Sequence, residues 1–147
     1  MPQPVSAVPA PPPRFDVLDD RSLLGHPRGL GLLFIVEMWE RRVEFHLLGP
    51  ISHVFRNSHP AMKEMEVPQV PAWAEANKPR IAEFLSVFDR QLEKNKFAAG
   101  DRYSVADITA MVVIDFASAM VGLEPDAGLS NLQRWRTAVS ARPSAKV

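Results

Sequence analysis

An all-α bundle of four to six helices is the architecture this sequence predicts, and three observations carry the prediction. Apolar residues recur at helical spacing in four long stretches. No stretch sustains a period of two, so no strand is expected. One stretch opens with a helix-capping signature, Ser104-Val105-Ala106-Asp107.

The first helix should begin near Pro27, since proline is tolerated in a first turn. Gly29 and Gly31 weaken that turn. Leu32, Val36, Trp39, Val43 and Leu47 then mark one apolar face, with Glu37, Glu40, Arg41 and Glu44 opposite. Gly49-Pro50 is expected to kink or break the helix, because proline has no amide proton and crowds the preceding turn. Ile51, Val54 and Phe55 resume the stripe, and residues 57–60 end it.

A proline-punctuated connection leads to a second helix over 72–95. Its residues Ile81, Phe84, Leu85, Phe88 and Leu92 form one clear stripe. Gly100 pivots the next connection. The capped helix spans 105–121, with Ser104 as N-cap and Asp107 placed to reach back to the Ser104 amide. Tyr103 and Ile108 are spaced as a hydrophobic staple around that cap. Ile108, Met111, Val112, Val113, Ile114, Phe116, Ala117 and Met120 cover almost the whole circumference, so this helix is expected at the centre of the core. Gly122 is placed to stop it. The last helix runs over 129–141 with Leu132, Trp135 and Val139 inward, and Arg142-Pro143 ends it.

Composition limits the function. Lys and Arg number 17, equal to Asp and Glu, which argues against a partner held by nucleic-acid phosphates or an anionic membrane surface. The chain has no cysteine, excluding disulfides, thiolate metal sites and a cysteine nucleophile. No apolar run approaches the roughly 20 residues of a membrane span, and no secretory signal opens the chain. A cytoplasmic location is the expectation. Residues 1–22 read as a proline-rich, disordered lead and linker, and 23–147 as the helical domain. His26, His46, His53 and His59 form no zinc pattern, and no metal site or tightly bound cofactor is expected. Asp115, amid apolar residues, needs an arginine partner or an open seam. Asp107 reads as a folding determinant through its capping position, and no catalytic residue is assigned.

The spaced motifs resemble a known family. Phe97-Ala98-Ala99-Gly100-Asp101-Arg102-Tyr103-Ser104-Val105-Ala106-Asp107-Ile108 is similar to a signature of the glutathione S-transferase C-terminal domain. Asn131-Leu132-x-x-Trp135 followed by Arg142-Pro143-Ser144 resembles its closing motif, and Met38-Trp39-Glu40-Arg41-Arg42-Val43-Glu44 the first C-domain helix of bacterial members. The resemblance covers roughly 23–146. It implies a domain that shapes the electrophile pocket and dimer seam, while a thioredoxin-like domain activates the sulfur of glutathione. The resemblance starts at the linker between those domains, so this chain is expected to lack the thiol-activating half and not to catalyse alone.

From the residues alone, Trp39 reads as core and Arg41 and Glu44 as solvated. The resemblance makes their helix the pocket wall, with Trp39, Arg41, Arg42, Glu44 and His46 as candidate contacts. It implies glutathione as co-substrate only when a thioredoxin-like domain is supplied, with that domain in trans or a homodimer as partner. The alternatives are a non-catalytic protein-interaction module of the same fold and an inactive truncated product.

Overall fold

The computed structural model describes residues 21–23 and 26–145. The expected proline-rich lead lies outside the described residues, apart from the end of its linker. By contacts the chain divides into two units, Met1–Leu32 and Leu33–Val147. In the first, strand β1 (Arg21–Leu23) pairs antiparallel with β2 (His26–Pro27). Nothing in the residue pattern signals this pairing, because strands of two and three residues are too short to alternate. Helix α1 (Arg28–Val43) begins in the same unit.

The second unit is built of helices, with an isolated antiparallel bridge between Phe97 and Gly100 in one connection. From α1 the chain passes through a π turn (Glu44–Leu48) into α2 (Gly49–Ser58). Gly49-Pro50 therefore neither breaks nor ends the helix. Pro50 has no amide to offer the carbonyl four residues back, and the turn widens so that the Gly49 amide donates to the Glu44 carbonyl. The extra residue re-phases the stripe: Val43, Leu47, Ile51 and Val54 all point into the core. Leu32, expected on that stripe, is 56% exposed.

Helix α3 (Pro71–Lys94) packs along α2, the π turn and α5 (Ser130–Ser140). Its buried stripe is Ile81, Phe84, Leu85, Phe88 and Leu92, as the periodicity predicts. Phe88 is the pivot of an aromatic line. Its ring lies 5.9 Å from Trp39 of α1 and 5.2 Å, edge-on, from Trp135 of α5. Three helices meet at this one side chain.

Helix α4 (Val105–Val121) differs from expectation. It buries one face only, through Ala106, Asp107, Ala110, Val113, Ile114 and Ala117. Ile108 is 48% and Val112 62% exposed. The small alanines turn inward and let α4 approach its neighbours closely, so larger apolar residues remain outside. Gly122 takes φ 66°, and the amides of Gly122 and Leu123 both close on the Ala117 carbonyl.

The N-terminus of α4 is held by Asp107, which is fully buried. Its Oδ2 accepts from the Ser104 amide at 2.9 Å and the Ser104 hydroxyl at 3.2 Å. The Asp107 amide faces the Ser104 side chain in capping-box fashion, but its hydrogen bond goes to the Ser104 carbonyl at 3.1 Å. Oδ1 accepts from the Ala98 amide and from the Trp135 indole, each at 2.8 Å. One carboxyl thus joins the 97–100 turn, α4 and α5.

Asp107→Ala should therefore cost more than an ordinary cap. The Ala98 amide and the Trp135 indole would lose their acceptor in the interior, and an orphaned buried donor costs about 1–3 kcal/mol. We expect a loss of about 3 kcal/mol or more, read from urea unfolding. Phe88→Ala should cost about 3–5 kcal/mol by the cavity it leaves.

Candidate functional site

A groove runs between the α1–π-turn segment and α3. Its wider part, about 410 Å³, has Arg42, His46 and Pro50 on one wall and Arg80, Glu83 and Phe84 on the other. A second depression of about 310 Å³ shares Arg42 and Val87 with it and is lined by Trp39, Arg90, Glu93 and Lys94. The π turn shapes the wide end. It sends Leu47 inward and leaves Phe45 and His46 exposed on the rim.

The donors of this groove rest on aromatic rings. The Arg42 guanidinium lies 4.5 Å from the centroid of the Trp39 ring, and that of Arg80 5.8 Å from Trp73. The His46 ring stacks on Phe84 at 6.3 Å with a 17° tilt. A guanidinium over an aromatic face gains a cation–π contact and keeps N–H donors available to an anion.

Of the five pocket candidates, Arg42 and His46 reach the wide part of the groove together. Trp39 is core, touching only the second depression. Arg41 and Glu44 form a solvated pair at 2.9 Å, with Glu37 at 3.7 Å from Arg41, and line neither depression. Sequence reasoning missed Phe45, Arg80, Glu83 and Phe84 as groove residues. The available signal was the seven-residue spacing of Arg80, Val87 and Lys94, one step off the core stripe of α3.

A second surface is apolar. Leu48 and Ser52 with Ile108, Thr109, Val112 and Phe116 line a shallow depression of about 410 Å³ over α2 and α4. Phe116 is anchored edge-on against Phe55 at 5.2 Å. At the margin the Thr109 hydroxyl donates to Glu40 at 3.4 Å. Tyr103 packs on Phe97 at 5.7 Å and under the Arg142 guanidinium at 3.8 Å. With Ile108 it lines a further depression against Met111 and Val139. Asp115 is exposed and accepts from Arg136 at 2.8 Å. Among the described residues no group of three His, Asp or Glu side chains is placed to hold a metal ion, and no helix is long and apolar enough to cross a membrane.

Residues 50–143 match the family model described as "Glutathione S-transferase, C-terminal domain". This chain belongs to the glutathione S-transferase family. It is 31% identical over 113 residues to Glutathione S-transferase 2 of Saccharomyces cerevisiae, covering 76% of this chain and 48% of that protein. The crystal structure of a Gtt2-class glutathione S-transferase of Vibrio parahaemolyticus is similar, with TM-score 0.67 and 36% identity over 78% of this chain and 53% of that one. Gtt2 from Saccharomyces cerevisiae gives TM-score 0.71 and 29% identity, over 82% and 56%. The chain thus spans about half the length of the glutathione S-transferases it matches.

The Asn131-Leu132-x-x-Trp135 motif has a physical reading here. Asp89 of α3 accepts from the Leu132 amide at 2.8 Å and from the Asn131 side chain at 3.1 Å, while Trp135 reaches Asp107. Asn131, Leu132 and Trp135 therefore seat α5 of this glutathione S-transferase domain.

The two faces of α4 can be told apart by a charge. Val112→Asp should change stability by no more than about 0.5 kcal/mol. Val113→Asp places a carboxyl in the interior and should cost about 3 kcal/mol or more, both measured by thermal or urea melts.

Proposed function

We propose that this chain is the pocket-shaping half of a glutathione S-transferase. A thioredoxin-like domain, seated on the apolar depression over α2 and α4, would activate the glutathione sulfur for attack on an electrophile. The observation that carries the proposal is that depression. Ile108, Val112 and Phe116 form a contiguous apolar face on a helix whose other face is core, and such faces mark interaction sites. The match to the C-terminal domain over about half the length of glutathione S-transferases supports that occupant.

In this reading the chain provides no group that touches sulfur. It provides shape, an apolar wall and a rigid frame. The outward residues Phe34 and Met38 of α1 offer a dimer seam to a second copy. In this reading the protein works in the cytoplasm, where glutathione is abundant.

Glutathione-agarose retention and a conjugation assay test it, with the chain alone and mixed with a separately expressed thioredoxin-like domain of a relative. The chain alone should show neither retention nor turnover. The mixture should gain retention, and Val112→Asp should remove it while the melt stays unchanged. Turnover by the chain alone would overturn the division of labour. A mixture indifferent to Val112→Asp would overturn the docking site.

A further inference from the structure

A carboxylate stands at the margin of the apolar face over α2 and α4. Glu40 of α1 is half-buried. Thr109, which lines the depression, donates to its Oε1 at 3.4 Å, a long bond. Among the described residues no lysine, arginine or histidine pairs with Glu40. The adjacent arginines are engaged elsewhere. Arg41 serves Glu37 and Glu44, and Arg42 lies over the Trp39 ring. Other carboxylates withdrawn from water are better satisfied: Glu44 by Arg41, Glu66 by Arg56, Asp89 by the Leu132 amide and the Asn131 side chain, Asp107 by its four donors. Glu64, Glu83, Glu93 and Asp101 have no ion pair among the described residues, but they are exposed. Glu40 is at once half-buried and held by one weak donor.

Such a carboxylate is tolerable while water reaches its remaining edge. A domain seated on Ile108, Val112 and Phe116 would cover that edge and remove the water. A carboxylate buried between two domains without a counter-charge opposes their association. We infer that the docked domain carries a lysine or arginine that pairs with Glu40. The inference rests on the docking of a thioredoxin-like domain proposed above, and it adds the charge that the domain's contact surface bears. The two kinds of contact divide the work. The apolar depression supplies affinity, but apolar contact has no direction. One ion pair at its edge fixes how the domain is turned on it. A bound metal ion is a poorer match for Glu40, because among the described residues no three His, Asp or Glu side chains gather to hold one.

The test is isothermal titration of the full chain with a separately expressed thioredoxin-like domain of a relative, in the absence of glutathione. Affinity should fall as salt rises. Glu40→Gln keeps the size of the side chain and an acceptor for the Thr109 hydroxyl, so the melt should not move. Its Kd should rise about tenfold and lose most of its salt dependence. Glu37→Gln, an exposed control, should leave Kd within about twofold. Each lysine and arginine of the added domain is then changed in turn to glutamate. One such variant should bind the wild-type chain weakly and regain affinity for the Glu40→Lys chain. An unchanged Kd in Glu40→Gln, an equal loss in Glu37→Gln, or no variant rescued by Glu40→Lys would overturn the inference. So would an effect of Glu40→Gln that emerges only when glutathione is added, since the cation would then be the ligand's amino group. Val112→Asp keeps the two proposals apart. If it abolishes binding and Glu40→Gln does not weaken it, the docking site stands and the ion pair falls. If the wild-type chain binds no such domain, the docking site fails and the ion pair with it.

Discussion

The Asp107 carboxyl is the contact on which the rest of this structure depends. It is buried without exposure and accepts four hydrogen bonds, all from neutral donors. A carboxyl in that position is tolerable only because each oxygen is doubly satisfied. Satisfying it forces three pieces of chain together: the Ala98 turn, the first turn of α4 and the Trp135 indole of α5. Trp135 then packs edge-on against Phe88, and Phe88 against Trp39. A polar anchor thus sets the register of an apolar core that dispersion and burial alone would leave free to slide.

The outer surfaces follow from how that core closes. Because Ala106, Ala110 and Ala117 face inward on α4, its bulkier residues are displaced outward, and an apolar face appears where a wholly buried helix was expected. Because Pro50 cannot donate to the turn before it, the chain takes up one residue in a π turn, and Phe45 and His46 emerge opposite α3. One surface is apolar, the other lined by Arg42, Arg80, Arg90 and Lys94. They lie on different sides of the α1–α2 segment.

Much of this was legible in the residues. The stripe of α3 from Ile81 to Leu92 was readable because a half-buried helix writes its inner face into the period of its sequence. The bounds of α4 were readable because Ser104, Asp107 and Gly122 are local signals that act through the nearest backbone amides and carbonyls. The orientation of α4 was not readable. A sequence apolar all round says that each face avoids water but not which face meets the core and which stays at the surface. The groove was half readable: Arg42 and His46 lay on the helix singled out, but Arg80 and Glu83 became their neighbours only when α3 packed antiparallel alongside.

The amino-acid sequence by itself determined the helices, their caps, the family and the absence of cysteine chemistry, since all of these rest on local spacing and composition. Only the tertiary structure decided that Asp107 bonds to Ala98 and Trp135 as well as to its own cap, that Asp89 seats Asn131 and Leu132 of α5, and that Arg42 shares a groove with Arg80, Arg90 and Lys94. The reason is range. Capping and periodicity act within about a turn or two of chain, whereas these contacts join residues whose meeting is fixed by the packing of whole helices.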